Sequence, residues 1–172
     1  MEVILVDDQD VPMGVMEKME VHQKALLHRA FSVFIFNDKE EMLLQKRADK
    51  KYHSAGLWTN ACCSHPQPGE DTIRSAQKRL QEEMGFTTSI KKAFSFTYKA
   101  PFENGLTEYE YDHVFVGTFN GDIFPNANEV SGYCYKSIPE IKISIQQQPQ
   151  VFTEWFKIAF PKVEAYIAGV SL

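Results

Sequence analysis

The hydrophobic pattern along the chain changes its period several times, and each period predicts a different element. Short runs rich in β-branched and aromatic residues predict strands over residues 3–6, 30–36 and 42–45, with a polar hairpin turn over residues 37–40. Strand-like composition returns over residues 93–98 and 108–119. Between these groups, the polar residues 49–56 predict a loop.

Two stretches have the spacing of helices. Between residues 72 and 84 the apolar positions fall three and four apart, and Gly85 stands where such a helix would stop. Residues 151–167 carry aromatic side chains at helical spacing, interrupted by Pro161. Strands in the middle, one helix among them and a helical end predict an α+β or α/β layered fold. Because no repeat, low-complexity tract or Gly/Ser-rich linker divides the sequence, residues 1–172 are predicted to form a single domain.

Composition narrows the functional classes. The net charge of -5 disfavours a broad nucleic-acid surface but leaves room for a local basic pocket that binds a phosphorylated small molecule. Three cysteines, two of them adjacent, favour a reducing compartment over a disulfide framework. The first residues lack the pattern of a secretion signal, and no apolar run is long enough to cross a bilayer. We expect a soluble cytoplasmic protein without membrane insertion, and the sequence assigns it no oligomeric state.

The segment 59–66, Thr-Asn-Ala-Cys-Cys-Ser-His-Pro, carries the most chemistry. In an extended chain Cys63 and His65 point to one face and Cys62 to the other. A thiol can transfer a proton or attack carbon, and an imidazole can bind a metal or tune that thiol. The alternative is that Cys63 is small core filler, since free cysteine is among the most buried residue types.

Carboxylates follow in two places. In the predicted helix, Arg79 and Glu83 lie four residues apart. They form either a surface ion pair or a phosphate contact beside a ligand for a hard cation such as Mg²⁺. In the last predicted strand, Glu108, Glu110 and Asp112 share one face. That face is either solvated or the site of a divalent cation that offsets the like charges.

Three of the five histidines, His22, His28 and His65, flank the thiol and carboxylate segments. Taken singly, each is typical of a surface or a satisfied histidine. Taken with two carboxylates, they make a mixed nitrogen and oxygen set that suits Mn²⁺, Mg²⁺ or Zn²⁺. The spacing alone leaves both interpretations open.

Several motifs together carry a family resemblance. They are His22, His28-Arg29-Ala30-Phe31-Ser32, Gln45-Lys46-Arg47-Ala48, the block 57–66 with Trp-Thr-Asn and Cys-x-His-Pro, Glu82-Glu83-Met84-Gly85 and Glu108-Tyr109-Glu110. Over nearly its full length the chain resembles the type I isopentenyl-diphosphate Δ-isomerases. That family is similar in fold to the Nudix hydrolases, which implies an α+β fold with a Nudix-like α/β/α sandwich around a mixed β-sheet.

The resemblance implies a role for each matching residue. The implied catalytic residues are Cys63, Glu110, Tyr98 and Trp155. The implied substrate-binding residues, which receive a diphosphate, are Lys18, Arg47, Lys51 and Arg79. The implied metal ligands are His22, His28, His65, Glu108 and Glu110 at one site, and Glu83 at a Mg²⁺ bound to the diphosphate.

The implied reaction converts isopentenyl diphosphate to dimethylallyl diphosphate by a reversible 1,3-proton shift. Protonation of the alkene creates a tertiary carbocation, so an acid and a base are expected on opposite faces, and these are Cys63 and Glu110. The order in which they act is left open. Trp155 would stabilise the cation through its π face, although its pattern alone is typical of a core tryptophan.

Two alternative functions are also compatible with parts of the sequence. The first is a metal-dependent Nudix-type diphosphate hydrolase, since the helix resembles a degenerate Nudix box. In that box Lys78 and Arg79 replace an Arg-Glu pair, and the lost carboxylate argues against hydrolysis. The second is a non-enzymatic module that binds zinc through Cys62, Cys63 and His65. Adjacent cysteines lack the paired Cys-x₂₋₄-Cys spacing of closed zinc sites.

Overall fold

The computed structural model describes residues 1–102, 104–170 and 172. Nine strands lie within them: β1 (Glu2–Val6), β2 (Pro12–Glu17), β3 (His28–Phe36), β4 (Met42–Arg47), β5 (Trp58–Thr59), β6 (Cys62–Ser64), β7 (Ile90–Pro101), β8 (Thr107–Thr118) and β9 (Val130–Lys136). The helices of the same ranges are α1 (Lys18–Lys24), α2 (Thr72–Met84), α3 (Ile138–Gln147) and α4 (Glu154–Ala168). None of these helices is both long and apolar enough to cross a membrane.

The strands form one mixed sheet with β3 at its centre. Strand β3 pairs in parallel with β8, and it pairs antiparallel with β1 and β6. The remaining pairings are antiparallel. Strand β7 pairs with β8, β2 pairs with β1, and β4 pairs with both β5 and β9. The parallel register sets His28 opposite Glu110. Two chemically important residues distant in sequence therefore become neighbours.

Helices cover both faces of the β3–β8 pair, and each face has its own apolar cluster. On one face, α2 contributes side chains to a cluster with alternate residues of β3 and β8: Val33, Ile35, Ala76, Leu80, Met84 and Phe115. On the other face, α4 does the same: Phe34, Phe36, Val114, Val116, Phe156, Phe160 and Val163. Because β3 is buried on both faces, its sequence is a nearly continuous apolar run. This is the Nudix-like α/β/α sandwich that the resemblance implies.

Helix α2 has the bounds that its apolar spacing predicts. The Asp71 side chain accepts a hydrogen bond from the Arg74 amide at 3.1 Å and caps the first turn. Gly85 ends the helix with a φ of 77°. A Cβ at Gly85 would lie 2.1 Å from the carbonyl oxygen of Phe124, so glycine is required both by the backbone angle and by this close approach.

Some local features are not predicted by the pattern. His22 lies on α1, because residues 18–24 form a short helix capped by the Glu17 side chain. The turn predicted over residues 37–40 is confirmed and connects β3 to β4, which pair through Phe36 and Met42 before they take different partners. Helix α4 continues through Pro161.

Candidate active site

A cavity of about 380 Å³ opens on the sheet where β6, β7 and β8 meet the loop 48–57 and the first turn of α4. It brings together most of the side chains that the sequence singles out: Lys18, Arg47, Lys51, Cys63, His65, Arg79, Glu83, Tyr98, Glu108, Glu110 and Trp155. His22 and His28 are fully buried behind this lining, with their rings against His65. The cavity has two chemically distinct ends.

The first end, which we call the histidine end, consists of His22, His28, His65 and Glu110. One ligand atom from each lies within 4.8 Å of the others. His65 Nε2 lies 2.8 Å from Glu110 Oε1 and 3.2 Å from His28 Nε2. His28 Nδ1 must donate to the Leu26 carbonyl oxygen at 2.9 Å, because a carbonyl only accepts. Nε2 is thus the ring nitrogen of His28 that faces His65 and Glu110 and is available to a metal.

The donor set of the histidine end fits a divalent cation. Both ring nitrogens of His22 are buried without a hydrogen-bond partner among the described residues. Burial lowers the pKa of His22 to about 3 and that of His65 to about 4, so both rings are neutral near pH 7. Burial would raise the pKa of Glu110, but the His65 ring, 2.8 Å from its Oε1, holds that pKa well below its ordinary value. Neutral imidazoles beside an ionised carboxylate make a donor set that suits a divalent metal ion.

Glu108, the fifth implied ligand, is beside this group but outside it. Its Oε1 lies 3.5 Å from His53 Nε2, and its Oε2 lies 3.1 Å from the Tyr98 hydroxyl. That hydroxyl has one proton and a shorter contact of 2.6 Å with Glu110 Oε2, to which it donates. Burial and the charge of Glu110 raise the pKa of Glu108 to about 8, so near pH 7 Glu108 can donate to the Tyr98 oxygen.

The strand face that carries these carboxylates is not solvated. Glu108, Glu110 and Asp112 are 5%, 6% and 1% exposed, so the alternative of an outward-facing charged strand is wrong. Asp112 does not line the cavity. Its side chain accepts a hydrogen bond from Ser32 Oγ at 2.6 Å. Three acidic side chains on one strand are thus divided between a candidate cation site and a separate internal hydrogen bond.

The second end, which we call the basic end, consists of Arg47, Lys51 and Arg79. The Arg79 guanidinium contacts Glu83 at 2.8 Å and Glu129 at 3.0 Å, and Lys51 also pairs with Glu129. These contacts place the Arg79–Glu83 pair at the cavity wall, so it is more than a surface pair. Glu129 is not singled out by the sequence pattern. It follows a loop with no clear period, and its one signal is an acidic residue just before an apolar one.

Glu83 is held from both sides. Besides the Arg79 ion pair, its Oε2 accepts a hydrogen bond from the Gln45 side chain at 2.8 Å. Burial raises the pKa of Glu83 against the opposing influence of Arg79. Glu83 therefore has a fixed carboxyl group at the cavity wall, with the cationic side chains of Arg79 and Lys51 nearby.

The two adjacent cysteines face opposite ways, as the strand alternation predicts. Cys62 lies in the apolar cluster under α2, whereas Cys63 lines the cavity. Cys63 Sγ lies 3.2 Å from Asn60 Oδ1 and 3.4 Å from Ser32 Oγ. Burial and the charge of Asp112 raise the pKa of the Cys63 thiol, which keeps it protonated near pH 7.

Aromatic rings also line the cavity, Trp155 and His53 among them. The Arg47 guanidinium lies 5.1 Å from the centre of the Trp155 ring, and the Trp155 Nε1 proton has no partner among the described residues. His53 stands edge-on to Trp155 at 5.8 Å and stacks on Phe102 at 4.8 Å. Sequence reasoning missed His53, whose one signal is a histidine inside a polar loop two residues after Lys51.

The fold and this site define the general class of the protein. The family model described as NUDIX domain matches residues 26–156, and the chain belongs to that family. A solved structure from Deinococcus radiodurans superposes with a TM-score of 0.75 at 15% identity, covering 92% of this chain and 96% of its own. The Caenorhabditis elegans Ap4A hydrolase superposes with a TM-score of 0.60 at 20% identity, covering 83% of this chain and 98% of its own.

Within that class the sequence relatives are more specific. The chain is 48% identical to the isopentenyl-diphosphate Delta-isomerase of Pectobacterium atrosepticum, over 96% of this chain and 92% of the relative. It is 51% identical to isopentenyl-diphosphate Delta-isomerase 2 of Photorhabdus laumondii, over 90% of this chain and 87% of the relative. The chain therefore belongs to the isopentenyl-diphosphate Δ-isomerase family.

Proposed function

We propose that this protein interconverts isopentenyl diphosphate and dimethylallyl diphosphate by a 1,3-proton shift. The observation that carries the proposal is the pairing of Cys63 and Glu110 in the lining of one cavity, with Trp155 beside them. A proton-transfer reaction at carbon needs two such groups within one water-poor site. Family membership supports the choice of a prenyl diphosphate as the substrate.

The chemistry of the alkene determines what the cavity must supply. An unactivated alkene is a very poor base, so one group must deliver a proton to the terminal carbon, C4, and leave a tertiary cation at C3. A second group must then remove a proton from C2. Cys63 and Glu110 take these two roles, in an order that reverses with the direction of the reaction. The Tyr98 hydroxyl donates a hydrogen bond to Glu110 and so holds this side chain in one position while it gains or loses a proton.

Trp155 supports the cation between these groups. An indole face within reach of a desolvated cation contributes about 2 kcal/mol or more. The indole already has the Arg47 guanidinium at 5.1 Å, which orients that basic side chain along the cavity wall. The same ring thus contacts the basic end and faces the prenyl tail.

The basic end receives the diphosphate. Arg47, Lys51 and Arg79 supply charge-assisted hydrogen bonds, with Lys18 at the rim of the same cavity. Their present partners, Glu83 and Glu129, keep them in place. Glu83 would hold a Mg²⁺ against the diphosphate oxygens. Fixing the diphosphate in this way places the reacting carbons between the two proton-transfer groups.

The histidine end would hold a second divalent cation, Mn²⁺, Mg²⁺ or Zn²⁺, through His22, His28, His65 and Glu110, with Glu108 as a further ligand. When bound, such a cation supplies positive charge that polarises the Glu110 carboxyl. The residues themselves keep the imidazoles neutral, exclude water and fix the carboxylate. A cytoplasmic location, where thiols stay reduced, completes the proposal.

The alternatives account for the site less well. A closed zinc site on Cys62, Cys63 and His65 would need three side chains on one side, but Cys62 lies in the core cluster under α2. A hydrolase would need the carboxylate that Arg79 replaces. In this chain Arg79 is a cation at the cavity wall, paired with Glu83.

The direct test is to incubate the purified protein with isopentenyl diphosphate and Mg²⁺ and to follow the mixture by ¹H and ³¹P NMR. We expect dimethylallyl diphosphate to accumulate to an equilibrium ratio without free phosphate. Glu110→Gln should give no product, whereas Glu41→Gln, a change outside the cavity lining, should behave as the parent protein. Phosphate release would support the hydrolase, and an unchanged substrate would contradict the proposal.

A further inference from the structure

A polar pair, Ser32 and Asp112, lies beside the Cys63 sulfur, outside the residues to which the resemblance assigns a role, and Ser32 itself lines the cavity. Ser32 on β3 and Asp112 on β8 are 3% and 1% exposed. Ser32 Oγ lies 2.6 Å from Asp112 Oδ2 and 3.4 Å from Cys63 Sγ. The sheet itself fixes these positions, because Ser32 is the direct register partner of Cys63 and lies two positions along β3 from Ala30, the partner of Asp112.

Asp112 has no evident structural reason to be an acid. Within the described residues its Oδ1 has no hydrogen-bond partner, and Ser32 is its one side-chain partner. A buried carboxyl group that makes a single hydrogen bond is costly, so an apolar side chain of similar volume in its place is expected to be close to neutral for stability. Its single bond is to the hydroxyl that contacts the Cys63 sulfur, which points to a role at the thiol.

Ser32 differs from Asn60, the other polar neighbour of the thiol, in the hydrogen bonds that it can form. The Asn60 side-chain amide donates to the carbonyl oxygens of Val33 and Cys62, both at 3.0 Å, so its Oδ1 can only accept. The Ser32 hydroxyl can both accept and donate. The Cys63 S–H donates to Asn60 Oδ1 at 3.2 Å, while the Ser32 oxygen, whose proton goes to Asp112, contacts the same sulfur at 3.4 Å. When the sulfur has lost its proton, the Ser32 hydroxyl can rotate and donate to it.

We propose that Ser32, anchored by Asp112, is a positioning residue that holds the Cys63 sulfur toward the cavity in both directions of the proton shift. The inference rests on the proton-transfer role proposed for Cys63. A reversible shift needs the sulfur in one place with and without its proton, and a hydroxyl partner keeps the contact in both states. Displacing a reacting group by about 1 Å costs on the order of a hundredfold in rate.

The test compares Ser32→Ala with a half-buried serine that has no such contact. Ser95 on β7 has a buried hydroxyl without a partner in the described structure and lies outside the cavity lining. Ser32→Ala should lower kcat by about ten- to a hundredfold while KM for isopentenyl diphosphate stays within about twofold. Ser32→Thr, which keeps the hydroxyl, should restore much of kcat, and Ser95→Ala should leave both constants unchanged.

Asp112→Leu provides a second readout that a structural role would not give. Removing the buried carboxyl group should leave the melting temperature close to that of the parent protein, while kcat falls to the level of Ser32→Ala. A loss of kcat, metal content and melting temperature together would overturn the inference and make the pair a packing element. Unchanged kcat in Ser32→Ala would overturn it as well.

The Cys63→Ala variant in the same assay separates this inference from the proposal on which it rests. An active parent protein, an inactive Cys63→Ala and a fully active Ser32→Ala would remove only the role of Ser32. A Cys63→Ala variant as active as the parent would remove the catalytic role of the thiol, and with it the role of Ser32. A parent without isomerase activity would overturn the proposed function itself.

Discussion

The histidine end and the basic end of the cavity are built in different ways. His22, His28, His65 and Glu110 come from α1, β3, the chain after β6 and β8, and all are buried. The basic end comes from β4, the loop 48–57 and α2, and its long side chains stay partly exposed: Arg79 and Lys51 are 27% and 23% exposed. One end is fixed by sheet register, and the other is fixed by counter-charges.

This difference shows how one small cavity can handle both a cation and a diphosphate. At the histidine end, burial lowers the pKa of His22 and His65, so the imidazoles offer lone pairs and no charge. At the basic end, Glu129 pairs with Lys51 and Arg79, so these two cationic side chains are already held in place before substrate binds. We therefore expect variants of the histidine end to affect metal retention, and variants of the basic end to affect substrate affinity.

The largest expected effect lies between the two ends, at the thiol. Cys63→Ala should lower kcat by about 10²- to 10⁴-fold, the range for a general acid–base group, with the fold intact. Cys62→Ala removes a buried sulfur from the core and should cost about 1 kcal/mol of unfolding free energy while most activity remains. Steady-state kinetics and thermal melts check both variants. Equal losses of kcat in the two would contradict the assignment of Cys63.

The histidine end is tested through metal retention. His28→Ala removes a buried ring nitrogen that faces Glu110, and should weaken metal binding and activity together by about a hundredfold or more. Glu108→Gln should have a smaller effect, about tenfold, because that carboxyl faces His53 and Tyr98. Elemental analysis after dialysis measures both. Full metal content in both variants would refute their role as ligands.

The Trp155 ring is tested by two replacements that differ in their π face. Trp155→Phe keeps a weaker π face and should retain part of the activity. Trp155→Leu keeps apolar volume alone and should lose about 2 kcal/mol of cation stabilisation, which is roughly thirtyfold in kcat. Kinetics normalised to the folded fraction make the comparison. A Leu variant as active per folded molecule as the Phe variant would remove Trp155 from the mechanism.

The smallest effect is expected at the basic end, where several cations share one task. Arg79→Ala should raise KM for isopentenyl diphosphate by roughly tenfold, through loss of a charge-assisted hydrogen bond, with a smaller change in kcat. Arg74→Ala, on the same helix but exposed and outside the cavity lining, is the matched control. Unchanged constants in Arg79→Ala would mean that its pairs with Glu83 and Glu129 are merely structural.

The part of the fold that could be predicted is the part in which apolar residues recur at regular spacing. Helix α2 and the buried strands β3 and β8 have clear spacing and lie at the predicted positions. The elements without a clear period, β2, α1, β9 and α3, were not predicted from the pattern. Their structure depends on long-range partners, such as β9 on β4, which local propensity does not encode. The single domain over residues 1–172 stays a prediction.

The sequence predicts which residues form the site better than it predicts how they contact one another. The family motifs named the lining residues, but spacing could not bring His28 beside Glu110, because their strands pair across 82 residues of chain. The same limit hid Ser32 beside Cys63 and the contact of His53 with Trp155. Each is a contact between segments, decided by the register of the sheet or by loop packing. The roles of these side chains stay predictions until the variants are measured.

The central claim is that Cys63 and Glu110 move protons at two different carbons of one substrate. Its most direct measurement is the reaction in D₂O with Mg²⁺, followed by ²H NMR of product and recovered substrate. The account predicts deuterium in one methyl group of dimethylallyl diphosphate from protonation at C4, and at C2 of recovered isopentenyl diphosphate from the reverse reaction. Both signals should disappear in Cys63→Ala. Product formed without solvent deuterium at any conversion, or labelled equally well by Cys63→Ala, would contradict it.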